Sequence, residues 1–113
     1  MHPFAAQLFA RSPDIRYVAV YLHGDLQLAQ RPELQGASAA ESDRYEELLV
    51  NPTVLLLTRQ RGEIDCGGLE YVLIRYGNFF TLAYPLDGGH ITLGIEPAAD
   101  PLPLVALVRE VTS

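Results

Sequence analysis

Lysine and tryptophan are absent from this 113-residue chain, which has a single cysteine and a single methionine. All eight of its basic residues are therefore arginines. Without lysine the chain can be neither a P-loop NTPase nor a Schiff-base enzyme, because both need a lysine amine. The lone Cys66 excludes an internal disulfide framework and every zinc site built from several cysteines. The composition thus removes several large enzyme classes.

Basic charge is also scarce, since eight arginines stand against fourteen acidic residues and the formal net charge is −6. A nucleic-acid-binding protein needs a basic face that releases counterions from phosphates, so we expect no nucleic-acid partner. No apolar run approaches the roughly 20 residues that span a bilayer, and no basic segment followed by an apolar run opens the chain. We therefore expect no direct membrane insertion, no signal peptide and a cytoplasmic location.

The first third of the chain divides into short apolar segments separated by turn residues. Residues 3–11 fit a helix, and residues 15–22 and 26–30 fit two strands joined by a turn at Gly24-Asp25. Apolar side chains occupy odd and even positions of the first strand. This pattern predicts a strand that is covered on both faces.

A long helix is predicted for the middle of the chain, from the capping-box pair Ser38 and Glu41 to about residue 62. Pro52 should kink or split this helix, because proline lacks the backbone N–H. Residues 53–60 would also suit a strand, and that alternative stays open. The helix carries apolar residues on more than one face, which predicts that its own sheet covers one side and a partner the other.

Three strands and a final helix are predicted for the remainder, with strands at 69–76, 79–86 and 90–96 and a helix capped by Asp100. The element order is then α-β-β-α-β-β-β-α. It predicts one α+β domain over residues 1–113, with α/β/α layers and a five-stranded antiparallel sheet. We expect the middle helix on one face of the sheet and the two terminal helices on the other.

Candidate catalytic or ligating groups are few. The histidines His2, His23 and His90 match no zinc spacing, and we expect His90 to be a solvent-exposed turn residue. No G-x-S-x-G nucleophile motif is present. We therefore expect no catalytic residue, no metal site and no cofactor, and a chain that is not an enzyme. An enzyme that uses Cys66 or His90 remains an alternative.

The closing part of the sheet carries a resemblance to a known family. Its sequence Tyr-Pro-Leu-Asp-Gly-Gly-His-Ile-Thr-Leu-Gly-Ile is an apolar strand, a glycine turn and a second apolar strand. Together with the strand pair at 15–22 and 26–30, the helix from about Ser42 and the strand at 69–76, it resembles the roadblock / dynein light chain family over nearly the whole chain. Pro52 and the long loop at 31–40 depart from the family pattern.

The resemblance implies a roadblock/profilin-like fold and a non-enzymatic homodimer, in which the middle helix and the third strand pair with a second copy. It also implies a small Ras-like GTPase as a partner, whose nucleotide cycle the protein modulates. Leu73→Arg should then disrupt the dimer. The implied interface residues are Tyr45, Leu48, Leu49, Leu55, Leu56, Arg59, Leu69, Tyr71, Leu73 and Arg75.

An alternative function is a profilin-like or PAS-like small-ligand sensor or interaction module, because those folds share a five-stranded antiparallel sheet with flanking helices. A sensor of this kind needs an apolar pocket between the sheet and a helix. The sequence alone leaves both functions open.

Overall fold

The sheet of this computed structural model, which describes residues 1–34 and 40–113, has five antiparallel strands. They are β1 (Ile15–Leu22), β2 (Asp25–Gln30), β3 (Val72–Arg75), β4 (Phe80–Leu86) and β5 (Gly89–Ile95). Their order across the sheet is β2-β1-β5-β4-β3, so β2 and β3 are the edges. The predicted five-stranded antiparallel sheet is confirmed.

Helices cover both faces of this sheet. Helix α1 (Pro3–Arg11) and helix α4 (Leu102–Thr112) pack together on one face. The other face carries a continuous helical segment, residues 40–65, which we call the middle helix. It consists of α2 (Ala40–Tyr45), a π-helical turn (Glu46–Val50) and α3 (Asn51–Asp65). The predicted layers and element order are therefore confirmed.

The main apolar core lies between the sheet and the pair α1 and α4. Alternation in β5 directs Ile91, Leu93 and Ile95 into this core, where they are fully buried beside Leu8 and Val108. The intervening residues of β5 point to the middle helix. In β1, three successive residues from Val18 to Val20 are buried, so that strand is covered on both faces as predicted.

Pro52 widens the middle helix instead of breaking it. The Asn51 N–H bonds to the carbonyl of Glu46, five residues back, which is the π-helical pattern. Pro52 has no N–H to offer the preceding turn, and its ring would crowd a regular α-helical carbonyl. The helix then continues to Asp65, where the Cys66 N–H bonds to Gly62 O. The strand alternative for residues 53–60 is wrong.

The first hairpin turn lies one residue earlier than predicted. Leu22 pairs with Asp25, so His23 and Gly24 form the two-residue turn. Both have positive φ, at 51° and 83°, as a type I′ turn requires. Histidine tolerates this region better than a β-branched residue would, and Gly24 adopts it freely.

Strand β3 is shorter than the predicted 69–76. It begins at Val72, which pairs with Ala83, and it ends at Arg75, which pairs with Phe80. Extending the same register backwards would place residue 70 opposite Pro85. Since proline has no N–H for a ladder, pairing stops before that point.

Capping residues were predicted at the starts of the middle helix and of α4. Ser38 of the predicted capping box lies outside the described residues, and Pro32–Leu34 form a short 3-10 turn within the predicted loop. The Asp100 cap is present, because its Oδ1 accepts a hydrogen bond from the Leu102 N–H at 3.1 Å.

Candidate functional site

A buried carboxylate joins the middle helix to the sheet. Glu47, in the π turn, is 0% exposed. Its Oε1 accepts hydrogen bonds from Thr92 Oγ1 at 2.8 Å and Asn51 Nδ2 at 3.1 Å, and His90 Nε2 lies 3.0 Å away. Its Oε2 accepts from the Tyr17 hydroxyl at 3.0 Å. We call these five residues the polar cluster; each of the four donors offers an N–H or O–H to one carboxylate.

Burial and neighbouring charges in and beside the polar cluster shift the pKa values of three side chains. Burial, together with the negative charge of Glu47, raises the pKa of Tyr17 far above its ordinary value, so this hydroxyl stays protonated and donates. Next to Glu47, burial raises the pKa of Glu46, although a hydrogen bond from the Tyr76 hydroxyl partly offsets it. Burial and the Glu46 charge raise the pKa of Tyr76 in turn.

His90 is not the exposed turn residue that the sequence suggested. It is 2% exposed, within the polar cluster, and its ring stacks on Tyr21 with centroids 5.5 Å apart. Alternation along β5 was the available signal, since it places His90 and Thr92 on the face opposite Ile91. Helical spacing gave the second signal, because Glu47 and Asn51 are four residues apart and share one face.

A cavity of about 480 Å³ opens beside the polar cluster, between the sheet and the start of the middle helix. Its aromatic lining comes from Tyr17, Tyr76 and Phe79, and its acidic lining includes Glu46 and Glu47. The volume falls within the usual range for small-molecule sites. The ligand-sensor alternative requires an apolar pocket between the sheet and a helix; this cavity lies in that place, but its lining is partly acidic.

The opposite side of the middle helix is apolar and exposed. We call this surface the outer face. It runs along most of the helix, and its members are between 36% and 76% exposed: Tyr45, Leu48, Leu49, Leu56, Leu57 and Ile64. Besides Leu55, the helix thus buries the polar Glu47 and Asn51 against the sheet and leaves these six large side chains exposed, unlike an ordinary surface helix. Large contiguous apolar surfaces are uncommon on monomeric soluble proteins and are typical of interaction sites.

The predicted interface residues separate into distinct environments. Tyr45, Leu48, Leu49 and Leu56 lie on the outer face, while Leu55 is only 5% exposed and belongs to the buried side of the helix.

The remaining predicted interface residues lie in a groove beside α3 or against the main core. Leu55, Leu56, Arg59 and Leu69 line an open groove between α3 and the β4–β5 turn. Tyr71 and Leu73 are half-buried and pack against the core beneath α4, on the face away from the middle helix. A charge placed at Leu73 would enter that core, so Leu73→Arg would test folding and not only dimerisation.

Strand β3 has an unpaired edge. Within the described residues, β3 pairs with β4 alone. Alternation turns Val72 and Ile74, both half-buried, toward the middle-helix side of the sheet. Arg75 is exposed at the end of the strand, with its guanidinium 4.8 Å from the centroid of the Phe80 ring. An unpaired edge of this kind is a template for strand addition.

This arrangement of sheet and helices matches a solved structure. The crystal structure of a Roadblock/LC7 domain from Streptomyces avermitilis superposes with a TM-score of 0.72, covering 95% of this chain and 87% of that one. The chain has the Roadblock/LC7 fold. The two sequences are 13% identical, so the likeness establishes the fold and not the function. No protein-family model and no curated protein matches the sequence.

Other candidate groups of the Roadblock/LC7-like chain lie apart from these surfaces. Cys66 is exposed at the end of α3, where its Sγ lies 3.3 Å from Arg61 Nη1. Over residues 1–34 and 40–113, no group of three or more His, Cys, Asp or Glu side chains is arranged to hold a metal ion. In the same part of the chain, no helix combines the length and apolarity needed to cross a membrane.

Proposed function

We propose that the chain is a non-enzymatic, homodimeric scaffold that binds a small Ras-like GTPase and modulates its nucleotide cycle. The observation that carries the dimer is the outer face, where six large side chains with an apolar body are exposed on one helix. Surfaces of this kind are uncommon on monomeric soluble proteins. Residues 1–113 acting as one domain, in the cytoplasm, are part of the same proposal.

A dimer with two-fold symmetry would bury both the outer face and the unpaired edge of β3. In an isologous dimer each copy presents the same patch, so the outer face of one copy meets the outer face of the other. The β3 edges then lie next to each other, and their unpaired N–H and C=O groups can bond across the axis. Val72 and Ile74 would extend the apolar contact from the helix onto the sheet.

The GTPase partner is supported by the fold and by the family resemblance of the sequence. The surfaces left free after dimerisation would include the β2 edge and the exposed parts of α1 and α4. Binding through those elements would leave the dimer interface intact. The proposal therefore separates two surfaces, one for the second copy and one for the GTPase.

Leu56→Glu tests the dimer, and Leu102→Glu is its matched control. The two leucines are 53% and 56% exposed, but Leu56 lies on the outer face and Leu102 lies on α4, across the sheet. Burying a half-exposed leucine stabilises by about 1 kcal/mol, and symmetry doubles the loss. Two buried charges add several kcal/mol. We expect dimerisation to weaken by at least about 100-fold in Leu56→Glu.

The measurement is sedimentation equilibrium over a range of protein concentrations, with circular dichroism to confirm folding. A wild-type chain that stays monomeric at micromolar concentration would refute the dimer. Equal dissociation of the Leu56→Glu and Leu102→Glu chains would place the interface elsewhere.

The GTPase is tested by affinity capture from the native lysate with either GDP or a non-hydrolysable GTP analogue. We expect a small GTPase whose recovery depends on the nucleotide. Its purified form should then bind the chain directly and show a changed rate of hydrolysis or exchange. Recovery of this chain alone, under both nucleotides, would contradict the GTPase proposal while leaving the dimer untouched.

A small-ligand sensor is the second candidate function, and the cavity of about 480 Å³ is the observation that favours it. It lies between the sheet and a helix, where ligand sites of layered folds are found. Stabilisation of the chain by a small molecule in a thermal-shift screen would support this function. Absence of any saturable stabilisation would count against it.

A further inference from the structure

The cavity beside the polar cluster has an aromatic wall. The rings of Tyr76 and Phe79 lie 5.4 Å apart at their centroids with an interplanar angle of 40°. Both line the cavity, and Tyr17 lines it from β1. Aromatic faces carry negative electrostatic potential, so they attract cations as well as apolar groups.

Two neighbouring carboxylates line the same cavity, and they differ in how they are compensated. Glu47 receives four hydrogen bonds within the polar cluster, whereas among the described residues the side-chain donor to Glu46 is the Tyr76 hydroxyl, at 3.1 Å from Oε1 and 3.3 Å from Oε2. Among the described residues, no arginine or histidine forms an ion pair with Glu46. A carboxylate has about four acceptor positions, so Glu46 keeps capacity for further donors.

The basic group that lines the cavity is already engaged. Arg16 Nη1 bonds to Glu96 Oε2 at 3.2 Å. Asp43 also lines the cavity, where its Oδ2 accepts a hydrogen bond from Gln30 Nε2 at 3.4 Å. Among the described lining residues, carboxylates therefore outnumber basic groups. An anion would meet repulsion there, and a cation would gain from both the carboxylates and the rings.

We propose that this cavity binds a small organic ammonium ion, whose N–H groups donate to Glu46 while its apolar body packs against Tyr76 and Phe79. The N–H to carboxylate bonds are charge-assisted and supply most of the selectivity. The aromatic wall supplies apolar contact and cation–π attraction. The site lies under the start of the middle helix, so a bound ligand would also brace that helix. This inference depends on neither the dimer nor the GTPase.

Three probes with one carbon skeleton test the charge preference. They are tyramine, which is cationic, 2-(4-hydroxyphenyl)ethanol, which is neutral, and 4-hydroxyphenylacetate, which is anionic. We expect saturable binding of tyramine by isothermal titration calorimetry, with about tenfold or greater weakening for the neutral probe and no binding of the anion. Amide NMR shifts on titration should be largest at residues 76–79 and in the π turn.

Variants of the cavity assign the roles of its residues. Glu46→Gln keeps the side-chain shape but removes the charge, so tyramine affinity should fall about tenfold while the neutral probe is unaffected. The matched control is Glu63→Gln, which removes an exposed carboxylate from α3 outside this cavity. Phe79→Leu keeps an apolar contact but removes the ring, and it should weaken tyramine by a smaller factor.

Several outcomes would overturn the proposal. Equal binding of all three probes, or tyramine binding that survives Glu46→Gln, would show that the carboxylate does not select the ligand. Saturable binding of Mg²⁺ or Ca²⁺ that displaces tyramine would show a metal site instead. No saturable heat up to about 10 mM tyramine would show that the cavity does not take this class. Repeating the titration with Leu56→Glu keeps the result separate from dimerisation.

Discussion

Replacing Glu47 by alanine is the most direct test of how the middle helix is held to the sheet. The carboxylate is 0% exposed and is hydrogen-bonded to four side chains on three elements. Alanine removes the acceptor and leaves the donors of Tyr17, Asn51, His90 and Thr92 beneath the helix. No other carboxylate among the described residues is as deeply buried. The substitution should therefore destabilise the fold strongly.

The magnitude follows from which donors can find new partners. Asn51 Nδ2 and Thr92 Oγ1 remain 3.2 Å apart and can bond to each other, and Tyr17 borders the cavity and can bind water. The buried N–H of His90 loses its partner. A buried unsatisfied donor costs about 1–3 kcal/mol, and breaking a buried charged contact costs about 3–5 kcal/mol. We expect Glu47→Ala to lower the free energy of unfolding by about 3–5 kcal/mol.

Glu47→Gln separates the charge from the hydrogen bonds. The glutamine Oε1 can still accept from Thr92, Asn51 and His90. Its amide NH₂ then faces the Tyr17 hydroxyl, which can rotate and accept. We expect a loss of about 1–2 kcal/mol. Glu63→Ala, at an exposed position of α3, is the control and should change stability by less than about 0.5 kcal/mol.

The assay is urea unfolding followed by far-UV circular dichroism at one fixed protein concentration. A fixed concentration matters because dimerisation would contribute to stability by mass action. A loss below about 1 kcal/mol for Glu47→Ala would refute the reasoning, because it would mean that the four donors are satisfied without the carboxylate. Equal losses for alanine and glutamine would show that the negative charge, and not the acceptor geometry, holds the cluster.

Two further predictions concern pH and backbone contact. Burial raises the folded-state pKa of Glu46 above its ordinary 4.5, so folding takes up protons between these two pKa values. The contribution of protonated Glu46 to the free energy of unfolding is therefore complete below pH 4.5, and it is lost as the pH rises through the folded-state pKa. Glu46→Gln should therefore lose less stability than wild type between pH 4.5 and about pH 7, in urea midpoints, and an identical pH dependence would contradict this. Gly89→Ala should cost about 3 kcal/mol or more, because a Cβ there would lie 1.7 Å from Tyr21 O on the neighbouring strand. A Cβ at Gly77 would meet open space, so Gly77→Ala should change the free energy of unfolding by less than about 0.5 kcal/mol. Similar thermal midpoints for the two variants would be inconsistent with the close approach of Gly89 to Tyr21 across β5 and β1.

Strand and helix positions were largely predictable because local chemistry determines them. β-branched and aromatic runs between glycine turns predicted β1, β4 and β5, and the acidic start and arginine-rich end of the middle segment favoured a helix. The start of the short β3 was harder to predict, since it depends on which residue of the preceding segment lies opposite Pro85 of β4. Register of this kind is a property of two strands together, so neither strand alone predicts it.

The candidate site was harder to predict, because apolar residues on more than one face of the middle helix predicted a side against the sheet and a side against a partner without distinguishing the two. The middle helix buries Glu47 and Asn51 and exposes Leu48, Leu49 and Leu56. A sequence pattern shows that a helix has two kinds of surface, but it does not show which kind meets the sheet. Only the positions of Tyr17, His90 and Thr92 on the facing strands decide this, and they come from distant parts of the chain.

The strand order has a consequence for the time at which this protein can fold. β1 lies between β2 and β5, and its first residue, Ile15, pairs with Ile95, which follows much later in the chain. During synthesis the N-terminus emerges first, so the β1–β2 hairpin must wait with one edge open until β5 follows. Closing so long a loop is entropically costly before any contact forms. The chain should fold slowly for its length, and ribosome-bound fragments that end before β5 should depend on chaperones.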